Sequence, residues 1–368
     1  MSKLKMVPIQ ELRVALNKQF LERSELIDGM LVALMSGDPL LLLGPPGVGK
    51  SMLCQAICSA ISGDYFSWCL NKLTTPEEIF GPISLKALEQ DKYMRLTTGK
   101  LPTASIAFMD EIFKSSSAIL NTMLTILNEK VYHNDGKAQK IPLKVLYAAS
   151  NEVPQAEELA AMFDRFVLKY YVDPVREDTS ASTLFTGLEN VTMPKVALAD
   201  LDAIQVCVAR PLKEDVQPVL TSLMTIRRAI ADEGIQVSDR KWVQSVRILK
   251  ANSLLNEHDT IEEEDLEILT HVLWSSVEQK AKVRKIVNKV CNPVGEKILE
   301  VTDAAREIYE GIGKNQVDAI EGFKKIKHAV KELEKLGDSG KNSKLKHAIE
   351  QTKIMQQQIA TTHLGLDS

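Results

Sequence analysis

The run Pro39-Leu40-Leu41-Leu42-Leu43 leads straight into Gly44-Pro45-Pro46-Gly47-Val48-Gly49-Lys50-Ser51, and helical spacing then extends from Ser51 to about Ile61. So short and solid an apolar run suits a strand buried on both faces of a parallel sheet. Strand, glycine-rich turn and helix make one βα unit, and the pattern G-x-x-x-x-G-K-[ST] is matched at every fixed position. The physics is direct. Gly47 and Gly49 let backbone N–H groups turn inward where a β-carbon would obstruct them, and the helix N-terminus adds partial positive charge. Lys50 is expected to reach the β- and γ-phosphates of a nucleoside triphosphate, and the Ser51 hydroxyl to ligate Mg2+.

Working outward, three more apolar runs end in polar residues. Ile106-Ala107-Phe108-Met109 ends in Asp110-Glu111, Val145 to Ala149 in Ser150-Asn151, and Phe166 to Val172 in Asp173-Pro174. Apolar strands alternating with helices imply an α/β fold with a parallel sheet, whose chemistry lies at the carboxyl ends of the strands. Asp110 is expected to hold the magnesium ion, usually through water, and Glu111 to orient and deprotonate an attacking water. A glutamate there favours hydrolysis over mere binding. Asn151 could hydrogen-bond that water or the γ-phosphate, or could simply turn the chain. Arg165 could form a surface salt bridge with Asp164, or act as an arginine finger on a neighbouring subunit's γ-phosphate. Arg240, at an expected helix start, is a candidate for reporting nucleotide state to a lid, against the plainer role of a surface arginine.

Before the phosphate loop, apolar residues from Gln10 to Met35 fit two short helices, the second opening at Ser24. After Pro174 the chain reads as helices with polar connectors. From Val277 it is helical and rich in Lys, Glu and Gln. Stripes at Ile320, Phe323, Ile326, Val330 and Leu333, and at Leu345, Ile349 and Ile359 beyond a Gly-Asp-Ser-Gly turn, suggest two antiparallel helices. They could pack only on their own chain or serve as a partner-binding arm.

Composition bounds the function. At 368 residues the chain suffices for two or three domains, and 45% hydrophobic with 26% charged residues is ordinary for a soluble globular protein. The net charge of -4 and the 5% aromatics argue against electrostatic capture of nucleic acid or stacking on its bases. The five cysteines (Cys54, Cys58, Cys69, Cys207, Cys291) match no zinc spacing and read as buried small hydrophobes in a reducing cytosol. Neither a signal peptide nor a membrane span is evident. A cytoplasmic protein is expected.

These residues together resemble the AAA+ superfamily, within it the MoxR family, and most closely the RavA branch. The resemblance covers about residues 10–275. It is carried by the phosphate loop, Thr75-Pro-Glu-Glu-Ile-Phe-Gly-Pro82, Leu96-Thr-Thr-Gly-Lys-Leu-Pro102, Phe108-Met-Asp-Glu-Ile112, Ile119-Leu-Asn-Thr122, Ala148-Ala-Ser-Asn-Glu152, Asp164-Arg165-Phe166 and Val237-Ser-Asp-Arg240. It implies an α/β AAA+ domain over residues 1–175, an all-helical lid over 176–276 and a helical C-terminal extension over 277–368. Residues 44–51 and Asp110 would bind nucleotide, with Lys50 and Ser51 as Walker A and Asp110 and Glu111 as Walker B. Asn151 resembles sensor 1, Arg165 the trans arginine finger, and Arg240 sensor 2, acting on its own subunit or on a neighbour.

Residues 80–101 resemble the insert in helix 2 that marks this clade, and the segment around Gly136 the hairpin before sensor 1. In similar proteins both project toward a ring's pore, which makes Leu85, Lys86 and Lys137 candidates for touching a protein substrate. A plain surface hairpin is the competing view. The resemblance further implies ATP and Mg2+ as cofactors, a homo-oligomeric, hexameric ring, a partner bearing a von Willebrand factor A domain, and a chaperone-like remodelling activity. RavA-type proteins carry a β-rich domain after the lid, and no such stretch is visible here. Two other readings stay open: a nucleotide-gated scaffold, and a nucleic-acid motor. The phosphate loop alone does not choose between ATP and GTP.

Overall fold

The computed structural model describes residues 5–152, 157–187, 191–211, 217–313, 318–336 and 343–364. The Gly-Asp-Ser-Gly turn at 337–340 lies outside them. Five parallel strands form the central sheet: β1 (Leu40–Leu43), β2 (Tyr65–Cys69), β3 (Ile106–Asp110), β4 (Val145–Ser150) and β5 (Leu168–Tyr171), in the spatial order β2-β3-β4-β1-β5. The four apolar runs in the sequence are the four strands β1, β3, β4 and β5. All four residues of β1 and all six of β4 are buried, as expected for strands covered on both faces. β2 is an addition. Its Tyr-Phe-Ser-Trp-Cys, at one edge of the sheet, alternates exposed and covered side chains, so it has no solid apolar run to betray it.

The two N-terminal helices, Val7–Gln19 and Ser24–Ser36, form where the spacing placed them. The second packs on the sheet, where the Tyr147 hydroxyl donates to the Met30 carbonyl at 2.9 Å. Helix Lys50–Ala60 follows the phosphate loop and buries Leu53, Cys54, Ile57 and Cys58. The polar turn around Gly136 is a hairpin, Val131–Asn134 against Lys137–Lys140, closed by Asp135-Gly136 in left-handed conformation. That two-residue turn matches the twist of the flanking strands.

By contacts, residues 1–223 and 230–283 make one compact unit, and residues 224–229 and 284–368 a second. The first therefore takes in most of the helical region assigned to the lid. Its helix Asp239–Leu255 lies along Ser24–Ser36, and the Arg247 guanidinium meets the buried Asp38 carboxylate at 2.5 Å. Burial pushes the Asp38 pKa up while Arg247 pulls it down. The contact-based division falls at 283/284, inside helix Val277–Cys291, whose first residue coincides with the start expected for the extension.

In the second unit the expected pair of helices is a trio: Pro293–Gly313, Ala319–Lys335 and Ser343–Leu364. Ile298, Val301, Ala305 and Ile312 of the first share one core with Ile326, Leu333, Leu345 and Ile359 of the others. Lys297, near the start of the first, pairs with Glu332, near the end of the second, so these two run antiparallel. Among the described residues no helix is long and apolar enough to cross a membrane.

The cysteines divide. Cys54, Cys58 and Cys291 are buried as expected, but Cys69 is exposed, on edge strand β2, and Cys207 is half-buried. Burial pushes the Cys58 thiol up to about 12 and Cys54 well above its ordinary value. Since the thiolate is the nucleophile, both should resist alkylation. Iodoacetamide on the native protein at pH 8 should modify Cys69 before Cys54 or Cys58, which should react only on unfolding. Peptide mass mapping over time would show the order, and early labelling of Cys54 would contradict this packing.

Candidate functional site

The carboxyl ends of β1, β3 and β4 bring together the residues singled out for nucleotide chemistry. Gly47 and Gly49 have φ of +82° and +84°, and a β-carbon built on either would meet nothing within 4 Å. The loop thus curves around open space that only a glycine backbone leaves free. Helix Lys50–Ala60 begins at this edge and aims its free N–H groups into it. The cleft, of about 300 Å³, is lined by residues 46–52 with Asp110, Glu111 and Asn151.

Within it the polar groups form two connected sets. The Lys50 ammonium, buried, donates to the Gly44 carbonyl at 2.5 Å, the Pro45 carbonyl at 2.8 Å and Asn151 Oδ1 at 2.8 Å. The Asn151 amide nitrogen in turn donates to Glu111 Oε1. Asn151 therefore does more than turn the chain: it links the cation to the carboxylate expected to act as base. Burial lowers the Lys50 pKa, while Asp110 and Glu111 oppose that shift. In the second set the Ser51 hydroxyl donates to Asp110 Oδ2 at 3.1 Å, and Asp110 Oδ1 accepts the Glu111 backbone N–H at 3.0 Å.

Glu111 itself has φ of +53°, a left-handed conformation that costs a β-carbon-bearing residue energy. Strain of this kind collects at working positions. Its Oε2 is buried and accepts no hydrogen bond, although the Lys114 ammonium lies 3.3 Å away. One carboxylate oxygen is thus anchored by Asn151, and the other has only the Lys114 ammonium beside it.

The donor set fits magnesium held jointly with phosphate. Among the described residues no group of three or more His, Cys, Asp or Glu could cage a metal. Magnesium instead commonly takes one or two protein oxygens and completes its shell with phosphate and water. The Ser51 hydroxyl and the Asp110 carboxylate are such a pair.

Sequence reasoning missed a neighbouring pocket. A largely apolar hollow of about 460 Å³ adjoins the phosphate loop, walled by Phe20, Leu21, Met52, Val175, Leu184 and Phe185. Phe185 is 88% exposed, unusual for so large an apolar side chain. Its place beside the loop suits a nucleobase. Lone apolar residues from three separated segments leave no pattern in a sequence.

Arg165 and Arg240 are brought together, but elsewhere. Arg165 ends helix Glu157–Arg165, and Arg240 lies in the first turn of helix Asp239–Leu255. Both approach Asp164 Oδ2, at 3.9 and 3.5 Å, and neither lines the phosphate-loop cleft. Lys241, unremarked in the sequence, makes the short contact there, 2.6 Å to Asp164 Oδ1.

The two segments proposed to touch substrate also meet. Asn134, in the hairpin, accepts from the Arg95 backbone N–H at 2.8 Å and donates to its carbonyl at 3.2 Å, and Asp135 accepts from Tyr93 N–H at 3.0 Å. Leu85, Lys86 and Lys137 are exposed.

This fold and cleft are those of a P-loop nucleoside triphosphatase of the AAA+ kind. Residues 8–207 match the family profile described as the MoxR domain in the MoxR-vWA-beta-propeller ternary systems, and residues 218–287 match an AAA lid domain. The chain belongs to the MoxR family of AAA+ ATPases. Two uncharacterized proteins of Methanocaldococcus jannaschii are similar over most of their length. One is 37% identical over 313 residues (85% of this chain, 83% of the relative), the other 36% over 331 residues (89% and 84%). A crystal structure of a candidate ATPase from Cytophaga hutchinsonii shares the fold, with a TM-score of 0.61 at 17% identity, over 77% of this chain and 93% of that one.

Two substitutions separate the roles of the buried network. Lys50→Ala should weaken binding of a fluorescent ATP analogue about 10²-fold, the loss of a charge-assisted hydrogen bond of about 3 kcal/mol. Asn151→Ala should leave that affinity within about tenfold, because two carbonyls still hold Lys50. Equal losses in both would mean that Asn151 is part of the phosphate site itself.

Proposed function

We propose that this chain hydrolyses ATP with magnesium as a ring of identical subunits, and uses the cycle to remodel a partner protein. The observation that carries the hydrolytic part is the bridge Lys50–Asn151–Glu111. It joins the group that would neutralise the γ-phosphate to the group that would accept a proton. Asn151 fixes Glu111 Oε1 and leaves Oε2 to take a proton from water as the water oxygen bonds to the γ-phosphorus. The bond to the β–γ bridging oxygen then breaks, releasing ADP and phosphate. Lys50, now hydrogen-bonded to the Gly44 and Pro45 carbonyls, would turn its ammonium to the phosphates. Magnesium, held by Ser51 and Asp110, would supply charge neutralisation on phosphate oxygens.

The ring part is supported by Arg165 and Arg240. Neither lines the cleft of its own chain, which favours action of the guanidiniums on the nucleotide of another copy. Arg240 is then a trans-acting group like Arg165. A hexamer is the assembly expected for this family. The insert and hairpin, tied together through Asn134 and Asp135, would present Leu85, Lys86 and Lys137 to a protein substrate. The matching family description sets MoxR domains beside vWA and beta-propeller proteins, which supports a partner with a von Willebrand factor A domain. The kinship with the RavA branch and a cytoplasmic setting rest on the sequence alone.

ATP turnover and mass in solution, measured side by side, test the proposal. The parent should hydrolyse ATP as a ring. Glu111→Gln should bind ATP, stay assembled and lose roughly 10²–10⁴-fold in turnover, the usual worth of a general base. Arg165→Ala should bind ATP yet lose about 10³-fold or more. A protein that stays monomeric with ATP, with Arg165→Ala silent, would defeat the ring.

A further inference from the structure

Three cationic side chains meet one carboxylate on the face that carries Arg165, with a buried lysine behind them. Lys241, almost wholly buried, donates to Asp164 Oδ1 at 2.6 Å. Arg240 reaches Oδ2 at 3.5 Å and Arg165 at 3.9 Å. Behind them the fully buried Lys169 donates to the Phe166 carbonyl and faces the rings of Phe163 and Trp274 at 5.3 and 5.1 Å. Burial lowers the Lys169 pKa, and the charge of Lys241 adds to the effect. Burial, then Arg240, lowers that of Arg165. Among the described residues Lys241, Arg240 and Arg165 share this one carboxylate, so an anion brought to the two partly exposed guanidiniums would be favoured there.

The contacts are unequal in a way that assigns roles. The short bond joins Asp164 to an ammonium that solvent does not reach, so it is strong and lasting. The two long contacts go to guanidiniums that are partly exposed, 25% for Arg165 and 45% for Arg240. At 3.5–3.9 Å they are weak and open to exchange. Arg240 has a second tether, Asn128 Oδ1 at 3.3 Å, and the Arg165 Nε is buried without an acceptor.

We infer that Asp164 is a positioning residue: pinned by Lys241, it holds Arg165 and Arg240 side by side so that both reach the same γ-phosphate of a neighbouring subunit. When the phosphate arrives, Asp164 stays with Lys241 and the guanidiniums exchange their long contacts for short, bidentate ones. The carboxylate thereby joins the end of helix Glu157–Arg165 to the start of helix Asp239–Leu255, so that one contact sets both donors. This inference rests on the proposal that Arg165 acts in trans.

The test uses mixed assemblies of the full chain. Glu111→Gln subunits lack a working site but keep their guanidiniums, and Arg165→Ala subunits keep the site but lack the finger. If Arg165 acts in trans, the two inactive variants restore ATP turnover when mixed. Asp164→Asn, which preserves shape and removes charge, should lower kcat roughly 10²-fold, as a misplacement of about 1 Å can. Its KM for ATP should stay near the parental value. Mixed with Glu111→Gln it should regain turnover, and mixed with Arg165→Ala it should not. Asp164→Glu should recover part of the loss, because the charge returns. If Asp164→Asn does not fold, Lys241→Met breaks the same short bond and enters the same comparison. Parental turnover in Asp164→Asn, or a loss that Glu111→Gln fails to restore, overturns the positioning role while leaving the trans finger standing. Failure of Arg165→Ala and Glu111→Gln to complement removes the trans finger, and the role of Asp164 with it.

Discussion

Strands buried on both faces leave polar groups only one place to gather, the ends of the sheet. β1 and β4 are buried throughout, so the chain cannot carry a charge along them without leaving it unpaired in an apolar interior. The charged and amide groups of the cleft therefore sit at or beyond the strand ends: Asp110 closes β3, Glu111 and Asn151 lie one residue past β3 and β4, and Lys50 opens the helix that follows β1 and its loop. Lys50, Asp110, Glu111 and Asn151 come from three parallel neighbours whose register brings their ends level: Leu43 faces Ser150 across one pair, and Met109 faces Ala148 across the next. The cleft is a consequence of that alignment. Once the strands are in place, the Lys50 ammonium rests on the carbonyls of Gly44 and Pro45 at the edge of the cleft, and Asn151 lies within reach of both Lys50 and Glu111.

The same constraint explains what could be read from the sequence and what could not. Interior strands declare themselves as solid apolar runs, and the polar residue closing each run marks a working position. Asp110, Glu111 and Asn151 were legible for that reason, and Lys50 and Ser51 because the glycine pattern of the phosphate loop fixes their places. β2 was not, because Tyr65 to Cys69 alternates exposed and covered side chains and so forms no solid apolar run. The first helix of the C-terminal trio reads in the sequence as helical but not as a partner of the pair, because its apolar residues (Ile298, Val301, Ala305, Ile312) are interleaved with many charges and their use depends on partners about 20 to 60 residues away. Lys241 and the pocket that takes in Phe185 are of the same kind. Their roles come from long-range juxtaposition, which leaves no local period to find.

Arg165 shows how a local reading can be right about a contact and still miss its meaning. Adjacent to Asp164 in the chain, it could be taken for half of a simple ion pair. At 3.9 Å it is a loose half, because Lys241 has taken the better position on that carboxylate. On the proposal that Arg165 acts in trans, a guanidinium with only a distant counter-charge would be held in a state that an incoming phosphate improves.

The two clusters are therefore built on opposite principles. In the cleft, each charge is matched within the chain: Lys50 by carbonyls and Asn151, Glu111 by Asn151, Asp110 by Ser51 and a backbone N–H. On the Asp164 face the positive charge is left in surplus. A site satisfied in isolation can wait for nucleotide without disturbing the fold, whereas a cationic surplus repels itself until an anion from outside relieves it. Assembly of copies would supply that anion only when the neighbour holds its nucleotide. The energetic link between nucleotide state and subunit contact then follows from the charge arrangement itself, and no movement of the sheet is required to transmit it.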